Sequence, residues 1–290
     1  MKIAVIGAPG QVGSEVVTAA RAVGLETVAL AHADCDVTDR ASLDAVFRDL
    51  RDGDFAINTA AFHRTDACED DPERAMAVNA LGAYNSAAAA HERGAGIVFV
   101  STDFVFDGSK DTAYVESDAP RPINAYGVSK FAGEMLAAHA NPSHYVVRMS
   151  SVFGAAGASG KGGNFVETIV SKARSGAPID VVDDIVMAPT YAADAAGLLV
   201  ELLSSRAPFG LYHLANGGEC SWREFADAIL ADSGSAARSR PISSKDLSTR
   251  AKRPRHSTLA SEKLAPLGLK ARPWREALDA YLIEKGYRRR

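Results

Sequence analysis

Short apolar runs alternate with amphipathic stretches through the first half of the chain. Lys2 to Ile6 is a β-branched run that ends in glycines, the pattern of a strand buried on both faces. Val12 to Val23 reads as a helix stopped by Gly24, and Thr27 to Leu30 as a second strand. Asp39 to Leu50 reads as a helix with acidic residues in its first turn, and Phe55 to Asn58 as a third strand. A long alanine-rich helix follows over Pro72 to Arg93, with Asp71 as N-cap and Pro72 at the first helical position. Ile97 to Val100 is a fourth strand that runs into Ser101-Thr102-Asp103. A turn-rich loop then leads to a helix over Ala125 to His139 and a strand over Tyr145 to Arg148. Repeated β-α-β units with short connections predict an α/β fold: a Rossmann-type, doubly wound parallel sheet over residues 1–150.

After Ser150 the pattern changes. Gly154 to Gly163 is rich in glycine and alanine and predicts a mobile loop. A helix begins at Asn164, with Glu167 three residues on, close to a capping box. Val181-Val182 is a short strand and Tyr191 to Ser204 a helix. Ser221-Trp222-Arg223-Glu224 is a capping box that opens a helix ended by Gly234. A polar, basic stretch over Pro241 to Arg255 precedes a last helix over Trp274 to Lys285, and Arg288-Arg289-Arg290 reads as a solvated tail. Residues 151–290 are therefore expected to form a smaller, discontinuous substrate-binding lobe, with a segment over about 180–215 returning to the large sheet.

At 290 residues, 47% apolar and 23% charged, the chain can bury a sizeable core, and wholesale disorder is excluded. Thirty-two basic residues against thirty-six acidic ones give a net charge of −4, the wrong sign for a general nucleic-acid binder. No run approaches the ~20 apolar residues of a membrane span, and the N-terminal run is too short for a signal peptide. Cys35, Cys68 and Cys220 show no CxxC or metal spacing and fit a reducing, cytoplasmic setting. Monomer and homodimer are both compatible with the chain.

Two constellations carry chemistry. Gly7, Gly10 and Gly13, with Gln11 and Val12 between them, spell G-x-x-G-x-x-G after the first strand and at the opening of the first helix. Glycines there permit the turn, close approach of backbone to a pyrophosphate, and tight strand–helix packing, while the helix N-terminus supplies N–H donors. The second strand ends at Leu30-Ala31 with neither an acid for a ribose hydroxyl nor an arginine for a 2′-phosphate. Asp34, Asp36 and Val37 come later, so NADH and NADPH both stay open. The other constellation is Tyr126-x-x-x-Lys130, an i, i+4 pair on one helical face, one βα unit after Ser101-Thr102-Asp103. An ammonium beside a phenol makes it a better acid or base near neutral pH.

These residues resemble the extended short-chain dehydrogenase/reductase superfamily, and within it the dTDP-4-dehydrorhamnose reductase family. The likeness runs through Gly10 to Gly13, Asp36-Val37-Thr38-Asp39, Asn58-Thr59-Ala60-Ala61, Asp66 to Glu69 and Val78-Asn79. It continues in Ser101 to Gly108, Tyr126/Lys130, Gly163 to Val166, Val181 to Asp184, Ala188 to Tyr191, Tyr212 to Ala215, Ser221 to Ala226 and Lys252-Arg253-Pro254. The resemblance implies hydride transfer from a nicotinamide to the C4 ketone of a nucleotide-linked 4-keto-6-deoxy sugar. Tyr126 would be the acid, Thr102 would bind the carbonyl, and Lys130 would bind the nicotinamide ribose. Ala60 and Ala61 would line the cofactor channel. A reductase or epimerase of another nucleotide hexulose is an alternative, as is a non-catalytic regulatory subunit of the same fold.

Departures from the family bear on the sugar. Members usually carry Arg-x-Ser-Trp-x-Tyr-Gly where this chain has Arg148-Met149-Ser150-Ser151-Val152-Phe153-Gly154, so Ser151 and Phe153 replace aromatic partners, and Phe104 stands where tyrosine is common. Phe104, Ser151, Phe153, Asn164, Arg253 and Arg255 are the expected substrate contacts, the arginines as a diphosphate clamp. Glu15 matches a carboxylate that some members use for magnesium at a dimer interface. Asp194, preceded by Ala193, is all that remains of its partner pair, so no metal ligands are assigned. His63, Cys68, Cys220, Trp222 and Trp274 are expected to pack rather than bind.

Overall fold

The computed structural model describes residues 1–157 and 163–288. The remaining part of the predicted Gly154–Gly163 loop, and Arg289 and Arg290 of the predicted tail, lie outside the described residues. Arg288 is not a free tail residue, for its guanidinium sits 2.6 Å from Asp279 and 3.5 Å from Asp232.

The elements run β1 (Lys2–Ile6), α1 (Gln11–Ala22), β2 (Glu26–Leu30), α2 (Arg40–Val46), β3 (Phe55–Asn58), α3 (Thr65–Asp70), α4 (Pro72–Met76), α5 (Gly82–His91), β4 (Gly96–Thr102), α6 (Ala125–Ala140) and β5 (His144–Met149). They continue with β6 (Val152–Phe153), α7 (Phe165–Ser175), β7 (Asp180–Val182), β8 (Val186–Met187), β9 (Thr190–Tyr191), α8 (Ala192–Ser204), β10 (Gly210–His213), β11 (Cys220–Ser221), α9 (Trp222–Asp232), β12 (Arg240–Ile242) and α10 (Trp274–Glu284). β10, β5, β4, β3, β1 and β2 form, in that order, one six-stranded parallel sheet.

Helices cover both faces. Val16, Val17 and Ala20 of α1 meet Ala195, Ala196, Leu199, Leu202 and Leu203 of α8 over one side. On the other, Leu43, Ala83, Ala87 and Ala137 from α2, α5 and α6 pack on Ala4, Ile6, Ala56, Ile97 and Phe99. A third core joins α7, α9 and α10 through Ile169, Val170, Phe225, Ile229, Leu278 and Leu282.

Sequence and structure part in several places. The predicted helix over Pro72 to Arg93 is continuous, but Ala77–Leu81 winds as a wider π turn. Gly82 allows this turn to press on Val37, whose Cγ2 would lie 2.7 Å from a Cβ there. The helix over Asp39 to Leu50 stops at Val46, and Asp39 caps it by accepting from Ala41 N at 3.0 Å. Helix α3 and strand β10 were not expected as elements. Asn164 is a true N-cap, accepting from Glu167 N at 3.1 Å, but the capping box is incomplete because the Glu167 carboxylate turns to Tyr281 and Tyr287. At Ser221 both halves of the box form.

Candidate active site

The chain passes from β1 outward to β2 and then returns to β3 on the opposite side of β1, so the sheet reverses direction between β1 and β3. Crevices outside the carboxyl ends of strands at such a reversal are where α/β sheets bind ligands. The Gly7–Gly13 turn fills this one. Gly7 takes φ +76, and a Cβ on it would lie 2.6 Å from Thr59 Oγ1; a Cβ on Gly13 would lie 2.3 Å from Gly7 O. Only glycine lets loop, α1 and the exit of β3 close this tightly. Gly10 is the N-cap of α1 without a side chain to satisfy the first helical N–H groups, which leaves them for an anion. Gln11 Nε2 donates to Val152 O at 2.8 Å, and its Oε1 is buried with no hydrogen-bond partner.

Gly7, Gly10, Gln11 and Val12 line a cleft of about 800 Å³, together with Asp36, Val37, Ala60 and Ala61. Gly13 lies beneath it as packing. Asp36 accepts from Thr38 N at 2.9 Å and Thr38 Oγ1 at 2.8 Å, which holds its carboxyl below the usual range. Asp34 folds back on Ala31 N at 2.8 Å, and exposed His32 also borders the cleft.

Thr102, Tyr126 and Lys130 meet on the cleft's inner wall, at the end of β4 and the start of α6. Asn124 starts that helix by accepting from Gly127 N at 2.7 Å. Thr102 donates to Asp103 Oδ1 at 3.0 Å and accepts from Phe104 N at 3.2 Å, and its hydroxyl lies within hydrogen-bond reach of the Tyr126 hydroxyl. Burial pushes the Tyr126 phenol well above its ordinary value, and the Thr102 hydrogen bond only partly offsets this. Lys130 is 2% exposed; its Nζ donates to Val100 O at 2.6 Å and lies 4.0 Å from the Phe99 ring centre. Burial lowers it to about 7, against the opposing pull of Glu134. Asp103 is raised to about 6 by burial although Thr102, Ser150 and Ser257 all hydrogen-bond to it.

Behind this wall lies polar structure that sequence reasoning missed. Glu134, four residues beyond Lys130, takes Arg148 Nε at 2.8 Å and Nη2 at 2.6 Å, and Ser101 Oγ at 2.6 Å. Arg148 Nη1 lies 3.4 Å from His213 Nε2, while His213 Nδ1 lies 2.9 Å from Ala260 O. Burial holds His213 down to about 4, so the neutral ring donates from Nδ1 and accepts at Nε2. Asn79, in the π turn, receives Phe62 N at 2.8 Å and donates to Phe62 O at 3.0 Å and Ser129 Oγ at 2.9 Å, pinning the exit of β3 to α6. The i+4 and i+8 stripe from Tyr126 through Lys130 to Glu134 was a usable signal for the first of these groups.

Residues 1–286 match the family described as RmlD substrate binding domain. The chain belongs to this family. A dTDP-4-dehydrorhamnose reductase of Mycolicibacterium smegmatis is 40% identical over 281 residues, 96% of this chain and 84% of that protein. A spore coat polysaccharide biosynthesis protein of Bacillus subtilis is 35% identical over 98% of each chain. The crystal structure of a Bacillus anthracis dTDP-4-dehydrorhamnose reductase in complex with NADP superposes with a TM-score of 0.91 at 31% identity, covering 98% of this chain and 99% of that one.

The remaining expected contacts of this RmlD-family chain divide. Phe104, Ser151, Phe153, Asn164 and Arg253 border the cleft; Arg255 does not, because Pro254 and Arg255 dock their backbone on Gly108, where a Cβ would lie 2.5 Å from Arg255 N. Asn164 has no donor to spare, since its amide serves Gly154 O at 2.9 Å and Tyr281 Oη at 3.0 Å. Phe153 is 1% exposed, packed among Tyr191, Phe225 and Tyr281, so it shapes the wall from the lobe core. Ser151 sits at φ +45, a strained backbone for a residue with a Cβ. Trp222, expected to pack away from the ligand, lines the cleft with its ring centre 4.6 Å from that of Phe165. His63 borders the cleft too. Trp274 lies in the lobe core, and the three cysteines are buried and free.

The magnesium site of some members does not fit these residues. Asp194 is taken by Arg272 Nε at 2.6 Å and Asn216 Nδ2 at 2.7 Å, and Glu284 by the Tyr191 hydroxyl. Burial and nearby Glu284 raise the Glu15 carboxyl. Among the described residues no three potential ligands are grouped to hold a metal ion. No helix among them is long and apolar enough to cross a membrane.

Proposed function

We propose that this chain is a NAD(P)H-dependent reductase acting on the C4 ketone of a nucleotide-linked 4-keto-6-deoxy sugar, with dTDP-4-dehydro-L-rhamnose as the leading substrate. The observation that carries the reading is the convergence of Thr102, Tyr126 and Lys130 on the same cleft as the glycine turn. The chain's membership of a family that includes dTDP-4-dehydrorhamnose reductases supports it.

The glycine turn has the close-packed cradle and free helix N-terminus that a pyrophosphate needs, and Ala60 and Ala61 leave room beside it. When bound, a reduced nicotinamide supplies the hydride. Tyr126 is protonated and can donate to a developing alkoxide, but burial makes it a weaker acid than the ammonium effect expected from the sequence would. Thr102 would hydrogen-bond the ketone oxygen, and turning its hydrogen away from Asp103 is the rearrangement this role requires. Lys130 spends one donor on Val100 O, which fixes its amine, and has its other hydrogens for the cofactor ribose. Phe104, edge-on to Tyr126, and Trp222 with Phe165 would bound the sugar nucleotide, and Arg253 would meet its diphosphate.

The test is loss of reduced-nicotinamide absorbance with dTDP-, UDP- and GDP-linked 4-keto sugars and each cofactor. Oxidation with the dTDP-linked 6-deoxy sugar is expected. Tight cofactor binding without turnover of any sugar would overturn the reading in favour of a regulatory subunit; turnover of another hexulose alone would reassign the substrate.

A further inference from the structure

Residues 250–255 cross from one half of the molecule to the other. At the far end, Arg255 O accepts from Val186 N at 2.8 Å and Ser257 N donates to Val186 O at 2.9 Å, which fixes the segment to β8. At the near end, buried Ala251 donates its N–H to Asp66 Oδ1 of α3 at 3.0 Å, and Arg250 pairs with Asp70 at the surface. Asn124 completes the tie. Its Oδ1 caps the helix that carries Tyr126, while its Nδ2 donates to Lys252 O at 2.8 Å. Asn124 is 5% exposed, so neither bond competes freely with water. The next residue along the strap is Arg253, whose side chain is exposed and borders the cleft.

We infer that Asp66 and Asn124 are positioning residues for the substrate: they hold the backbone of residues 251–252 so that Arg253 faces the same cleft as Tyr126. The inference rests on the proposed role of Arg253 against the diphosphate of a sugar nucleotide. A long, exposed arginine has many rotamers, and its affinity for a phosphate depends on how much freedom its backbone has already lost. Fixing Lys252 O and Ala251 N–H removes that freedom before the ligand arrives. Through Asn124, one amide links the turn that holds the acid to the strap that holds the anion clamp.

Asn124→Asp separates the two duties. Aspartate caps a helix as well as asparagine, but it sets an oxygen against the Lys252 carbonyl where a donor stood. We expect KM for the sugar nucleotide to rise about tenfold, as for one lost hydrogen bond to an aligned group, with kcat and cofactor Kd within about twofold. Asp66→Ala should act in the same direction, and Asp66→Asn, which keeps an acceptor for Ala251 N–H, should restore wild-type KM. The decisive measurement is the double variant. In an Arg253→Ala background, Asn124→Asp should raise KM no further, because it acts through the missing guanidinium. Additive effects in the double variant, an unchanged KM in Asn124→Asp, or a parallel loss of kcat would overturn the inference. An Arg253→Ala enzyme with wild-type KM would overturn the diphosphate role itself, a distinct failure.

Discussion

The two walls of the cleft are built differently. On the sheet side, Thr102, Lys130 and Asp103 are each at least 93% buried and hydrogen-bonded: Thr102 to Asp103 and Phe104, Asp103 also to Ser150, and Lys130 to Val100 O of β4. On the lobe side, Ser151, Phe165 and Trp222 are partly exposed and Arg253 is exposed, and they are held mainly by a ring-edge contact and by backbone docking. Groups that must place a proton within a fraction of an ångström stand on regular elements with a hydrogen-bonded backing. Groups that must fit the shape of a ligand stand on loops and short strands, where substitution is cheap. Within one family, the first wall can keep its chemistry while the second changes its sugar.

This contrast can be broken most directly on the rigid side. Tyr126→Phe removes the acid and keeps the ring against Phe104; kcat should fall by ~10²–10⁴ with cofactor Kd unchanged, checked by steady-state turnover and fluorescence titration. Gly13→Ala puts a methyl 2.3 Å from Gly7 O, so the turn must open. Cofactor affinity should fall by more than ~10-fold and stability by ~1–3 kcal/mol in denaturant titration. The Lys130 amine, lowered to about 7, is charged below that pH and neutral above it. The rate should therefore decline as pH rises through about 7, and Lys130→Met should lack that limb in a pH–rate profile.

On the adaptable side the effects shrink. Ser151→Val places a β-branched residue at φ +45 and should cost ~1–2 kcal/mol of unfolding free energy, while Ser151→Gly should cost nothing. Arg255→Ala, outside the cleft, should change KM less than twofold and stability by less than ~0.5 kcal/mol. A larger effect there would mean that the strap rotates on binding.

What could be read from the chain follows the same division. The glycine turn, the caps at Asp71 and Ser221, and the Tyr126/Lys130 spacing are local chemistry, written in a few adjacent residues. Strand β10 has four residues and owes its existence to pairing with β5, from Gly210↔Tyr145 to His213↔Arg148. Helix α3, Thr-Asp-Ala-Cys-Glu-Asp, carries no apolar period; only Cys68 is buried, and the helix is tied to the rest through Asp66 and Asp70. Arg253 and Arg255 are two residues apart, and only the docking of residues 254–255 on Gly108 and Val186 decides which one faces the cleft. Asn164 was visible as a cap, but the tyrosine that occupies its amide comes from a helix 117 positions away. Partners at that range leave no mark on local sequence.

Strand β10 and helix α8 reach the large sheet only after the chain has already built β6, α7 and β7 of the smaller lobe. A fragment ending at residue 150 would leave the outer edge of β5 without its neighbour and the apolar stripe of α1 facing water. The first half is therefore expected not to stand alone. Calorimetry should record one melting event for the whole chain, and a proteolytic cut between the halves should release no soluble core.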